Sequence, residues 1–73
     1  MQQFFTPDMI AGNSITWTRK AEISRNGSKV TVRQFKDEPA DVWVSSPTRY
    51  QRVAEGLPVL EAINFANQLL TTL

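Results

Sequence analysis

Two alternating runs of apolar and polar residues flank Asn26-Gly27, and they organise the first half of the chain. Asn-Gly is the preferred pair for a two-residue type I′ loop, because its positive φ values match the twist of the adjoining strands. With the loop placed there, Ser28 faces Arg25, Ile23 faces Val30, Ala21 faces Val32 and Trp17 faces Lys36. Ile15, Trp17, Ala21, Ile23, Val30 and Val32 then share one face, while Thr16, Thr18, Lys20, Glu22, Ser24, Lys29, Thr31 and Arg33 share the other. Glu22 is predicted opposite Thr31 and diagonal to Lys29 and Arg33, where it offsets part of their repulsion. Phe35 is out of phase with Val30 and Val32, so either a bulge resets the strand or Phe35 is exposed.

After the turn Asp37-Glu38-Pro39-Ala40-Asp41, the run Val42-Trp43-Val44 predicts a third strand, in which Trp43 cannot share a face with the two valines. Residues 48–55 show no clean period. Arg49, Tyr50, Arg52 and Val53 are expected in a loop of extended character, with a short fourth strand as the alternative. From Gly56-Leu57-Pro58 the period changes: Val59, Ala62, Ile63, Ala66, Leu69, Leu70 and Leu73 recur at three- and four-residue spacing and predict a helix that closes the sheet. Leu60 and Phe65 lie on the margins of the stripe. Pro58 is expected at or near the first helical position, and Glu61 in the first turn complements the dipole. The opposite face, Glu61, Asn64, Asn67, Gln68, Thr71 and Thr72, holds no cation. Near the N-terminus, Thr6-Pro7-Asp8 reads as a cap, a first-position proline and a first-turn acid, starting about one turn of helix before Gly12-Asn13. Phe4, Phe5, Met9 and Ile10 are expected to lay apolar mass over an edge of the core.

The fold class is therefore α+β: an antiparallel sheet of three strands, or four, packed against one C-terminal helix. Seventy-three residues predict one small domain, with an N-terminal segment over 1–13, the sheet over 15–55 and the helix over 57–73. A domain of this size buries only about 60% of its unfolded surface, which leaves little room for a cleft. The chain has neither cysteine nor histidine, which removes disulfides, thiolate nucleophiles, the commonest general base and the commonest metal ligands. No enzyme, cofactor or metal is expected. Asp37, Glu38 and Asp41 lack the spaced glycine of a calcium loop and read as a solvated turn. No apolar stretch approaches the roughly 20 residues that span a bilayer, so a cytoplasmic protein without a membrane partner is expected.

The net charge of +1 hides a segregation. Between Arg19 and Lys36 six cations stand against Glu22 alone, so the hairpin is locally basic. The candidate partner-binding residues are Lys20, Arg25, Lys29, Arg33, Phe35, Trp43, Arg49 and Arg52, which combine cations for an acidic or phosphate-bearing surface with aromatics for stacking or an interface anchor. The strand order, with the turn Asn26-Gly27-Ser28-Lys29, resembles the DNA-binding domains of phage integrase arms and of a plant transcription-factor family. It also resembles several small phage inhibitors, including some anti-CRISPR proteins. No residue role is carried over from either. The expected function is a non-enzymatic binding module, most directly a small inhibitor or regulator that occupies a macromolecular surface, for which a phage-type inhibitor is one form. The alternative is a DNA- or RNA-binding domain using the basic hairpin. The expected partner is a protein or a protein–nucleic-acid complex, and the uncharged helix face suits a homodimer because no charge must be buried.

Overall fold

The computed structural model describes residues 4–11, 18–36 and 38–73. The expectations for Gly12, Asn13, Ile15, Thr16, Trp17 and Asp37 lie outside the described residues. Six elements follow in order: α1 (Pro7–Ala11), β1 (Thr18–Arg25), β2 (Ser28–Phe35), β3 (Ala40–Ser46), β4 (Arg49–Leu57) and α2 (Val59–Thr72). The strands form one antiparallel sheet in sequence order, so each pairs with its chain neighbour.

The first hairpin has the predicted register, with Arg25 opposite Ser28, Ile23 opposite Val30 and Ala21 opposite Val32. Asn26 and Gly27 take φ values of 53° and 82°, as a type I′ turn demands. β2 continues in phase to its end, and Phe35 is 46% exposed.

The segment expected as a loop is instead β4. Its nine residues oppose seven of β3 because two register shifts, flanking Val42, each add a residue to β4. Gly56, at φ 70°, occupies the left-handed region within one of them. These bulges break the alternation, so that the consecutive residues Val53 and Ala54 both pack against the core.

One face of the sheet carries the core. Val30, Val32 and Val42 are fully buried, beside Ala62, Ile63, Ala66 and Leu70 of α2 and Phe5 and Ile10 of the N-terminal segment. Burying each of the larger side chains is worth roughly 1.5–3 kcal/mol. Pro58 stands one residue ahead of α2 as its N-cap, its carbonyl accepting the Ala62 N–H at 2.9 Å.

Asn67 departs from the expected polar face. It is only 3% exposed, and its side chain fastens the N-terminal segment: Oδ1 accepts from the backbone N–H groups of Phe4 at 3.0 Å and Phe5 at 2.6 Å, while Nδ2 donates to the Phe5 carbonyl at 3.2 Å. A buried amide is tolerated there because both of its ends are paired, and it pairs backbone groups that would otherwise be stranded.

Candidate binding face

Both helices pack on the same side of the sheet, and among the described residues no element covers the other side. The alternation that sends Val30, Val32 and Val42 inward sends Lys29, Thr31, Arg33, Asp41 and Trp43 outward. Trp43 lies opposite Thr31 on β2 and Arg52 on β4, which places it in the middle of the open face.

An arginine–aromatic cluster is built around it. The Arg33 and Arg52 guanidinium carbons lie 5.3 and 5.6 Å from the centre of the Trp43 ring, within cation–π range. Tyr50 is tilted at 43° to the indole with ring centres 4.9 Å apart, and is itself 70% exposed. Each guanidinium is steadied from behind by a carboxylate: Arg33 by Asp41 at 3.0 Å and Arg52 by Glu55 at 3.1 Å. These neighbours leave Trp43 half-buried, with an indole N–H that is sealed from solvent and has no acceptor. Beside the cluster, Arg33, Phe35, Glu38, Pro39 and Asp41 line a depression of about 420 Å³.

The predicted site residues are thus divided. Arg33, Trp43 and Arg52 are brought together; Lys29 stands on the same face, bridged to Glu22 at 3.3 Å; Lys20 lies opposite Arg33 and is exposed. Phe35 sits at the end of β2, with the Lys36 ammonium 5.5 Å from its ring centre. Arg49, opposite Ser46, is exposed at the β3–β4 turn.

Arg25 stands apart from all of these. It has the parity of Ala21 and Ile23, and it reaches the end of α2, where Nη1 donates to the Leu70 carbonyl at 2.8 Å and the guanidinium lies over the Phe4 ring. Its neighbour Asn26 donates through Nδ2 to the Leu73 carbonyl. The last turn of α2 contains no basic residue, so the hairpin provides the cation that the helix end favours.

The local basic excess is consequently dispersed by folding. Of its cations Arg25 serves the helix, and Lys29 and Arg33 each hold an acid, as Arg52 of β4 also does. Glu22, Asp41 and Glu55 are members of the face that sequence reasoning did not place in the site. Opposite parity to the valines is a signal that would have included Asp41.

The expected acidic turn is divided too. Asp41 is committed to Arg33, and no group of three or more metal-ligating side chains occurs among the described residues. No described helix is long and apolar enough to cross a membrane. No protein-family model matches the chain, and no curated protein and no solved structure is significantly similar to it.

Proposed function

We propose that the protein is a non-enzymatic binding module, a small inhibitor or regulator that occupies the surface of another protein with the open face of its sheet. The observation that carries this reading is the Trp43 cluster: an indole flanked by two arginines and a tyrosine, at the centre of a face that no described element covers. Tryptophan, tyrosine and arginine are the residues that dominate interface energetics, and preorganised side chains lose little entropy on binding. The pairing of Lys29, Arg33 and Arg52 with acids favours a protein over nucleic acid, because a phosphate backbone would have to compete with carboxylates already in place.

The test begins with affinity capture under nuclease treatment and ends with the purified partner. Trp43→Ala and Arg52→Ala should each weaken the complex by about tenfold or more, equivalent to about 1.4 kcal/mol. Affinity unchanged in both would remove the sheet face from the interface. The second reading, a nucleic-acid-binding domain, is favoured by the presence of Lys20, Lys29, Arg33 and Arg52 on one face with exposed aromatics. It predicts binding to unrelated duplex or single-stranded sequences that weakens steeply with salt, and that is lost when Lys20, Lys29 and Arg33 are all replaced by Glu.

A further inference from the structure

The turn between β1 and β2 carries chemistry that the binding face does not use. Asn26 is exposed and is followed by Gly27. Asn-Gly is the pair in which a backbone nitrogen most readily reaches the preceding side-chain carbonyl carbon, because glycine places no side chain in the way and lets the peptide rotate. The Asn26 amide is also part of a clasp. It donates to the Leu73 carbonyl, next to the Arg25 bond to the Leu70 carbonyl, and together they hold the end of α2 against the hairpin.

We propose that Asn26 is a deamidation site whose conversion opens this clasp. Base removes the Gly27 amide proton, and the nitrogen attacks Cγ of Asn26. The Cγ–Nδ2 bond breaks, the departing nitrogen takes up a proton and leaves as ammonia, and a succinimide ring remains. Water adds to one of the two ring carbonyls and the bond from that carbon to the Gly27 nitrogen breaks: cleavage at Cγ gives aspartate, and cleavage at the backbone carbonyl carbon leaves the chain running through the side-chain carbon as isoaspartate. One water is consumed and one ammonia released. The bond to Leu73 ties down the amide that must swing to meet the Gly27 nitrogen, so the reaction runs through local opening of the turn.

Both products exchange a donor for a carboxylate, which cannot donate to the Leu73 carbonyl and which puts negative charge at the negative pole of α2. The new carboxylate also competes with the Leu70 carbonyl for Arg25, the residue that lies over Phe4. Isoaspartate adds a backbone atom to a two-residue loop and so disturbs the strand register as well.

The experiment incubates the intact protein at mildly alkaline pH and follows each asparagine by peptide mapping and mass spectrometry. A gain of about one dalton should appear at Asn26 roughly tenfold faster than at Asn64 or Asn67, whose surroundings are held in helix. Aged protein should melt at a lower temperature than fresh protein. Asn26→Asp, which keeps a favourable turn pair, should reproduce the part of that loss that comes from the clasp. Equal rates at Asn26, Asn64 and Asn67 would overturn the site, and an Asn26→Asp variant as stable as the wild type would overturn the clasp. Should that variant fail to fold, the time course on the wild type still decides the site.

Discussion

The two faces of the sheet are made by alternate residues of the same strands, yet they are held by different physics. Inward, Val30, Val32 and Val42 meet Ala62, Ile63, Ala66 and Leu70 in contacts that have no direction and depend on volume and exclusion of water. Outward, Arg33, Trp43, Tyr50 and Arg52 are held by charge and ring geometry at the boundary with solvent, where each contact is worth about 1 kcal/mol or less. Stability therefore resides mainly on one face, and the other can vary with little loss of fold. Substitutions should separate the two.

The largest effect is expected at the centre of the inner face. Truncating Leu70 or Ile63 to Ala should cost about 2–5 kcal/mol in urea melts, a large part of the stability of so small a domain. If both variants melt like the wild type, the helix stripe is not the core and the contrast between faces collapses.

Asn67→Ala comes next. It strands the Phe4 and Phe5 amides without an acceptor, at about 1–3 kcal/mol for an unsatisfied buried group. Hydrogen exchange at those two amides should accelerate; unaltered exchange would mean that packing alone seats the N-terminal segment.

Gly27→Val tests the hairpin that both faces share. A Cβ at Gly27 would meet nothing within 4 Å, so its cost, about 1 kcal/mol or more, is purely the forbidden positive φ of a β-branched residue. A melt identical to wild type would show that the turn accommodates the change by moving.

The smallest effects belong to the outer face. Lys29→Ala removes a solvent-exposed bridge to Glu22 and should change stability by 0–1 kcal/mol, roughly the measured range for such pairs. Trp43→Phe deletes an indole N–H that has no acceptor, and its stability should stay within about 0.5 kcal/mol of the wild type. Unfolding of this variant would show that Trp43 belongs to a second core.

What could be read from the sequence follows the same division. The hairpin register was legible because Asn26-Gly27 and the parities of Ala21, Ile23, Val30 and Val32 point to the same pairing. The helix stripe is legible because its period is regular, and the sequence pattern admits the four-stranded sheet beside the three-stranded one. β4 was hidden by its own bulges: with an extra residue on either side of Ala54, no period of two survives from Arg49 to Leu57. Asn67 was hidden because a polar side chain in a helix gives no sign that it will meet backbone groups 62 and 63 positions away. Arg25 was legible in part. Its parity with Ile23 and the cation-free end of α2 together point to its position, whereas the local charge excess points to a surface role.

The Asn67 contacts also bear on the time the folded molecule lasts. Every strand pairs with its neighbour in the chain, so the sheet can zip from its turns through short loops that cost little entropy to close. Joining Phe4 and Phe5 to Asn67 closes a loop of almost the whole domain, which costs more chain entropy than closing any of the hairpins, so this contact is expected to form late. Weakening a late contact leaves arrival at the native state nearly unchanged and hastens departure from it. The N-terminal segment is therefore expected to act as a kinetic latch: Asn67→Ala should raise the unfolding rate while leaving refolding nearly unchanged, and an equal change in both rates would remove that role.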